Sequence, residues 1–306
     1  MLESVKIKNY RGKTMTLNLS EFTEEGIYIK KITGLGPVKA KINTKDTAGS
    51  DGTTYNSAQL EERNIVITFG MIESYGGSVE DARQVLYKMF TTKREVELTF
   101  KTTNRFVSCS GRVETNEPDM FSKDVTQSVS IICPDPAFYD ANGNGIQVTT
   151  FYGMEDAFEF PFSNESLTDN LIEFGIMRRN TSGNIYYAGE IEVGCQIYIH
   201  ALGDVGTITI YNTETKERMV IDAEKLQALT GSALKYSDTL IIDTTPKHKS
   251  IRLLRDGEYT NVLNIINKGS NWFKIVQGDN LFAYTATDGL YNIQFKIENK
   301  IAYGGI

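Results

Sequence analysis

Short runs in which apolar and polar residues alternate fill most of the first half of the chain. A period of two is typical of half-buried β-strands, because successive side chains of a strand point to opposite faces. The runs are Val5-Lys6-Ile7-Lys8, Met15-Thr16-Leu17-Asn18-Leu19, Ile27-Tyr28-Ile29-Lys30, Pro37 to Ile42, Arg63 to Met71, Val96 to Phe100, Arg105 to Val113 and Val125 to Cys133. The pattern predicts an N-terminal β-sheet or β-barrel domain.

One helix interrupts these strands. Ser78 can cap its first turn, and Asp81 stands at the third helical position, a pairing typical of helix N-termini. The apolar residues that follow are spaced three or four apart, so they form one stripe: Val79, Ala82, Val85, Leu86, Met89 and Phe90. We therefore predict a helix over about residues 78–91 that packs on an antiparallel sheet.

The segment 43–62 is rich in Gly, Thr, Asn and Asp and predicts a long exposed loop. Loops longer than about 15 residues are uncommon in compact domains unless they are functional. We therefore expect this segment to reach a neighbouring subunit.

The first domain is predicted to end where two prolines follow a strand. Pro134 and Pro136 lack a backbone donor, and the Asn and Gly residues after them favour turns. We assign residues 1–136 to the N-terminal domain, 137–145 to a linker and 146–306 to a C-terminal domain. The second half contains short strands at regular spacing and a short helix near Ala223 to Leu229. This regular spacing of strands predicts a β-sandwich. The strands are Gln147 to Tyr152, Ala157 to Phe162, Glu190 to Ala201, Thr207 to Tyr211, Thr239 to Asp243, Ile251 to Leu254 and Asn292 to Ile297.

Length and charge narrow the function classes. A chain of 306 residues is long enough for two cores. A net charge of −7 opposes general binding to nucleic acid or anionic lipid. No apolar run is long enough for a membrane helix, and no signal peptide is recognisable, so synthesis in a cytosol is expected. The three cysteines, Cys109, Cys133 and Cys195, are odd in number and predict buried thiols.

Residue patterns for catalysis or cofactor binding are weak. His200 ends a strand and His248 lies in a basic turn, and neither accompanies a nucleophile motif. The stretch Asp140 to Gly145 resembles half of a calcium loop, but its twelfth position is Phe151 where a carboxylate is needed. We therefore predict no enzyme, no metal and no cofactor.

Aromatic residues of the second half offer one ligand-binding hypothesis. Tyr186, Tyr187 and Trp272 could form a platform on which a saccharide ring stacks. Aromatic rings of all-β domains also serve in cores and interfaces, and Trp272 precedes the apolar residues Phe273 and Ile275. Both interpretations stay open at this point.

An ordered set of segments resembles the distal tail protein family of long-tailed bacteriophages. The set begins with an Asp-Gly loop and an arginine that opens an apolar strand, continues with the helix, and reaches a Pro-Asp-Pro junction followed by an aromatic. The matching residues are Asp51-Gly52, Arg63 to Ile67, the helix from Ser78, Cys133 to Tyr139, Phe158 to Phe162, Ser182-Gly183-Asn184, Tyr211 to Thr215, Asp238 to Thr244 and Gly278-Asp279-Asn280.

The resemblance implies a structural subunit of the tail tip. It implies an N-terminal β domain with one helix that closes into a homohexameric ring, and a galectin-like C-terminal β-sandwich. The implied partners are the major tail tube protein, a tail-associated hub protein and a receptor-binding protein, with a host cell-wall saccharide as a further ligand. Candidate contacts between subunits are Asp51, Gly52, Tyr55 and Arg63.

Three alternatives remain open on the sequence. The chain could be a carbohydrate- or receptor-binding module of a tail, or the equivalent hub of a contractile tail-like particle. A glycosidase would need two carboxylates across a groove, and no such pair stands out.

Overall fold

The computed structural model describes residues 1–19, 21–46, 49, 51–73, 77–119, 125–143, 145–155 and 176–306. These residues form two compact units. The first unit holds Met1–Gly145 together with Ala302–Ile306, and the second holds Ile146–Ile301. The sequence had placed the last five residues in the second domain, but they pair with strands of the first.

Antiparallel strands dominate both units. In chain order the strands are β1 (Leu2–Asn9), β2 (Thr14–Asn18), β3 (Ile27–Thr33), β4 (Ala40–Asp46), β5 (Thr53–Leu60), β6 (Arg63–Met71), β7 (Glu95–Thr102), β8 (Phe106–Asp119), β9 (Thr126–Cys133), β10 (Phe138–Asp140), β11 (Ile146–Thr150), β12 (Tyr152–Glu155), β13 (Ile176–Arg179), β14 (Ser182–Tyr187), β15 (Cys195–Ala201), β16 (Ile208–Asn212), β17 (Glu217–Ile221), β18 (Thr239–Asp243), β19 (Ser250–Arg255), β20 (Glu258–Asn261), β21 (Gly278–Ala286), β22 (Ile293–Lys300) and β23 (Ala302–Tyr303). The helices are α1 (Val79–Met89) and α2 (Ala223–Thr230), with short 3-10 turns at Leu263–Ile265 and Leu290–Asn292. The predicted mainly β fold is confirmed.

The first unit is built on one curved antiparallel sheet. Its strand order among the described residues is β2-β1-β7-β8-β9-β6-β3, and β10 adds to it by pairing with β8 and β23. Alternate side chains point into a common core, which explains the period of two in the sequence. The core includes Val5, Ile7, Ile65, Ile67, Phe69, Leu98, Phe100, Val129 and Ile131.

Helix α1 covers one face of this core, as its apolar stripe predicts. The Ser78 hydroxyl accepts the Asp81 amide at 3.3 Å, and the Asp81 carboxylate accepts the Ser78 amide at 2.9 Å. The other end is held by Asn116, whose Nδ2 donates to the Phe90 carbonyl at 3.0 Å. The Phe90 ring contacts Phe69 with centroids 5.4 Å apart, so the helix end is anchored to β6.

The second unit contains two main antiparallel sheets. One has the order β11-β22-β15-β18-β19-β20 and the other β14-β21-β16-β17, while β12 pairs with β13. The sheets face each other, since Tyr284 of β21 stacks on Phe295 of β22 with ring centroids 4.7 Å apart. Facing sheets that bury aromatic side chains are typical of a β-sandwich.

Two predicted segments differ from the structure or lie outside its described residues. The predicted linker 137–145 contains strand β10, whose Phe138 is fully buried in the first core, because a single short strand is hard to recognise between turn residues. The predicted strand from Ala157 to Phe162 lies outside the described residues.

Candidate subunit interface

A two-stranded hairpin, β4–β5, extends from the first unit. It replaces the loop predicted for residues 43–62. Short polar residues such as Thr, Asn and Ser obscured the alternation of apolar positions, so the pattern resembled a loop. We call this hairpin the arm. Of its strand residues only Asn43 and Ser57 are half-buried, and Asn43 Nδ2 donates to Ser57 Oγ at 3.0 Å.

The two faces of the arm differ in character. Residues paired across the strands share a face. Three such pairs bring the apolar side chains of the arm together on one face: Ala40 with Leu60, Ile42 with Ala58, and Thr44 with Tyr55. We call this the apolar face. Ile42, Tyr55 and Leu60 are 62%, 65% and 53% exposed, so the described part of this chain leaves the apolar face uncovered. The opposite face carries Lys41, Asn43 and Lys45.

The exposure of the arm has an energetic consequence. An isolated two-stranded hairpin is at best marginally stable in water, because it buries too little apolar surface to offset the entropy of ordering its backbone. Contiguous exposed apolar side chains mark surfaces that contact a partner. The arm therefore has the properties of an element that is completed by another molecule.

Three of the four predicted interface residues lie on the arm. Asp51 and Gly52 follow its tip and are exposed, and Gly52 has a positive φ of 91° that favours glycine. Tyr55 lies on the apolar face. These residues remain candidates for contact between subunits.

Arg63, the fourth predicted interface residue, is instead a structural residue. It is 1% exposed, and its guanidinium donates to backbone carbonyls of three separate segments. Nε reaches Pro136 at 2.7 Å, Nη1 reaches Gly34 at 2.6 Å and Gly36 at 2.7 Å, and Nη2 reaches Gly304 at 2.7 Å. Its assignment to the interface was wrong, because an alternating pattern does not reveal which arginine is buried.

The Arg63 cluster stabilises the base of the arm. The guanidinium carbon lies 4.0 Å from the centroid of the Phe138 ring, and burial lowers the pKa of the arginine while the nearby thiols Cys109 and Cys133 oppose that shift. Ile306 donates its amide to the Leu35 carbonyl at 3.1 Å, just before the arm begins. The last residues of the sequence and the 34–36 segment are thus held by one buried cation.

The predicted saccharide platform is only partly present on the surface. Tyr186 is 65% exposed, whereas Tyr187 is fully buried and its hydroxyl donates to the Ile191 carbonyl at 2.7 Å. Tyr187 was wrongly assigned, since adjacent residues of a strand point to opposite faces. Trp272 is half-buried beneath the Lys249 ammonium, which lies 5.4 Å from the centroid of its ring. Phe273 and Ile275 take the core positions beside it.

The residues considered for catalysis or metal binding have ordinary structural roles. His200 Nδ1 shares a hydrogen bond with Thr239 Oγ1 at 2.9 Å, and His248 is exposed in a turn. Asp140 Oδ1 accepts the Asn142 amide at 3.1 Å, which closes a polar turn. Within the described ranges, no three His, Cys, Asp or Glu residues are grouped closely enough to hold a metal ion.

The three cysteines are buried, as predicted. A hydrogen bond with Cys133 and burial raise the pKa of Cys109. Burial raises the pKa of Cys195 to about 12, although its hydrogen bond with Thr244 acts in the opposite direction.

Comparison with protein families matches residues 11–133 to the phage tail protein RIFT-related domain. The matched segment lies within the first unit. The match contains the arm, Arg63 and helix α1. None of the curated proteins matches the sequence.

The whole chain also has the fold of a solved tail protein. The crystal structure of the Dit protein (gp 19.1) of phage SPP1, described as a paradigm of hub adsorption apparatus in phages that infect Gram-positive bacteria, aligns with a TM-score of 0.62 and 10% identity. The alignment covers 97% of this chain and 98% of SPP1 Dit. Two structures of the phage P2 baseplate in its activated conformation align at 10% identity. The structure with Ca has a TM-score of 0.45, and the alignment covers 98% of this chain and 98% of the baseplate chain. The structure with Sr has a TM-score of 0.42, and the alignment covers 97% of this chain and 98% of the baseplate chain.

No helix in the described part of the chain is both long and apolar enough to cross a membrane.

Proposed function

We propose that this phage tail protein is a structural hub of the tail tip, in which identical copies close into a ring through their arms. The family of the first unit and the fold shared with SPP1 Dit support a place in the tail. The observation that supports self-association is the uncovered apolar face of the arm.

An arm that is covered by a different surface of a second copy links the copies into a ring. Contacts between two different surfaces of the same protein repeat head to tail, and they form a closed ring when the rotation between copies returns to the start. We expect six copies. The hub would join the tail tube to the host-recognition proteins, act without catalysis and reside at the tail tip of the virion after synthesis in the host cytoplasm.

Deletion of the arm tests the self-association. Replacing residues 42–58 by Asn-Gly keeps Lys41 and Gln59 opposite each other, as they are in the native register, and supplies a favoured two-residue turn. We expect the wild-type chain to form rings and the shortened chain to be monomeric by light scattering. Intact hexamers without the arm would contradict this role.

Labelling of virions tests the location independently. An antibody against this chain, detected by gold particles in electron micrographs, should mark the end of the tail distal to the capsid. Label along the entire tail, or on the capsid, would overturn the hub assignment.

A further inference from the structure

Two of the three cysteines lie next to each other in the core of the first unit. Cys109 belongs to β8 and Cys133 ends β9, and neither is more than 5% exposed. Because Arg112 pairs with Ile132, the next position brings Gly111 opposite Cys133, on the face of β8 that Cys109 shares. A Cβ atom at Gly111 would lie 2.7 Å from Cys133 Sγ, so the glycine leaves room for this thiol. The two thiols are hydrogen-bonded to each other.

A buried cation lies beside the two thiols. Arg63 pairs with Cys133 across β6 and β9, so the two side chains share the inner face of the sheet. The hydrogen bond from Cys109 lowers the pKa of Cys133 against the effect of burial, and the Arg63 charge also lowers it, while Asp135 opposes them. The pKa of Cys109 is instead raised by its hydrogen bond with Cys133 and by burial. Cys133 is therefore the thiol that ionises first and acts as the nucleophile.

We propose that Cys109 and Cys133 are an oxidisable dithiol, which a peroxide converts into a disulfide between β8 and β9. The Cys133 thiolate attacks one oxygen of hydrogen peroxide, the O–O bond breaks, hydroxide leaves, and the sulfur becomes a sulfenic acid. The Cys109 sulfur then attacks the Cys133 sulfur, the S–O bond breaks, and the hydroxide takes the Cys109 proton to form water. The proton that Cys133 released neutralises the first hydroxide. Two thiols and one hydrogen peroxide thus give one disulfide and two waters.

The third cysteine provides an internal control. Cys195 is equally buried but belongs to the second unit, whereas Cys109 and Cys133 both belong to the first. The partner of Cys195 is a hydroxyl, since Thr244 Oγ1 donates to its Sγ at 3.5 Å. A hydroxyl does not resolve a sulfenic acid, so Cys195 lacks the second step.

Thiol counting on the folded chain tests the dithiol. The purified protein is treated with hydrogen peroxide, the excess is removed by catalase, and the remaining thiols are alkylated in denaturant before peptide mass spectrometry. We expect Cys109 and Cys133 to lose alkylation together and to appear as one cross-linked pair of peptides, while Cys195 stays alkylated. Dithiothreitol should restore both thiols. Absence of this cross-link, or oxidation of all three cysteines at similar rates, would overturn the proposal.

Serine variants test the order of the two steps. In Cys109→Ser the sulfenic acid has no resolving thiol, so dimedone, a reagent for sulfenic acids, should label Cys133 after peroxide treatment. In Cys133→Ser, labelling of Cys109 should be about 10-fold slower. The matched control Cys195→Ser should form the same disulfide as the wild type. Equal labelling rates of Cys109 and Cys133 would overturn the assignment of the nucleophile. The cross-link test on the wild type stands even if a variant fails to fold.

The disulfide should also stabilise the first unit. It closes the chain between residues 109 and 133, which lowers the entropy of the unfolded state. Oxidised wild-type protein and oxidised Cys195→Ser should each melt about 5 °C above their reduced forms, and Cys109→Ser should show no such rise. An oxidised wild type that melts no higher would overturn a cross-link that fits the native fold.

The dithiol goes beyond the proposed hub and is tested separately from it. The peroxide reaction needs no ring, so its failure leaves the hub intact, and a wild-type chain without rings leaves the dithiol intact. One consequence rests on the proposed function. A tail-tip protein passes from a reducing cytosol to oxidising surroundings, in which a disulfide persists. Peptides of purified virions should therefore contain the cross-link between Cys109 and Cys133.

Discussion

Arg63 connects three segments of the first unit without a carboxylate partner in its hydrogen-bonding set. Its planar guanidinium supplies donors in several directions at once, which a lysine ammonium on a flexible stem cannot reproduce. The four carbonyls belong to Gly34, Gly36, Pro136 and Gly304, which lie in three segments that are distant from one another in sequence. A single side chain thus joins the base of the arm to the last strand pair.

Arg63→Lys should destabilise the first unit by about 2–4 kcal/mol, because some of the buried carbonyls lose their donors. Calorimetry should show a lower melting temperature for the first unit. The exposed Arg218→Lys is the matched control and should change little. An Arg63→Lys protein as stable as the wild type would show that the carbonyls are satisfied in another way.

The raised pKa of Cys195 predicts that the stability of the second unit depends on pH. Because its folded pKa is raised from 9.0 to about 12, the unfolded chain releases the thiol proton first, so stability present below pH 9 is lost as the pH rises toward 12. The loss approaches about 1 kcal/mol per pH unit. Urea titrations followed by Trp272 fluorescence should show a shallower pH slope for Cys195→Ala than for the wild type. Equal slopes would mean that folding leaves the pKa of the Cys195 thiol unchanged.

Helix α1, β6 and β18 lie at or close to the bounds that the sequence predicted. Ser78, Asp81 and the apolar stripe all lie within the helix segment, so a short stretch of sequence is enough to predict where the helix begins and which face it buries. Strand β10 and the arm were harder to predict, since β10 pairs with strands that are distant in sequence and the strands of the arm contain few apolar residues. The arm's character as a hairpin depends on pairing between β4 and β5, which no single short segment reveals.

Ser78→Ala should cost about 1 kcal/mol of stability in the first unit, because the Asp81 amide loses its side-chain acceptor. Ser78→Thr keeps the hydroxyl and should retain most of the stability. The hydrogen bonds from Ser78 also lower the pKa of Asp81, so the capping contribution is present above its ordinary pKa of 3.8 and is lost as the pH falls. Thermal melts at pH 7 and at pH 3 should show a smaller difference between the variants at the lower pH.

At the scale of the whole molecule, the last residues of the sequence belong to the unit that contains the first. Strand β23 pairs Tyr303 with Phe138, and Arg105 Nη1 donates to the Gly305 carbonyl at 2.7 Å. The sequence does not predict this return, because a two-residue strand has no periodicity of its own. The division into an N-terminal and a C-terminal half therefore described the chain incompletely.

Deletion of residues 302–306 should destabilise the first unit selectively. Arg63 loses the Gly304 acceptor, and β10 loses β23, one of its two partner strands. Hydrogen-exchange mass spectrometry should show faster exchange in β10 and in residues 34–37. Trp272 is the only tryptophan and lies in the second unit, so its fluorescence should report an unchanged second unit. Unchanged hydrogen exchange in the first unit would show that residues 302–306 are not needed for its stability.

The proposed ring requires copies of one chain to join head to tail. Electron micrographs of the purified wild-type protein, class-averaged without imposed symmetry, test this most directly. We expect closed sixfold rings with a central hole. Isolated monomers, open filaments or symmetric dimers under the same conditions would contradict it.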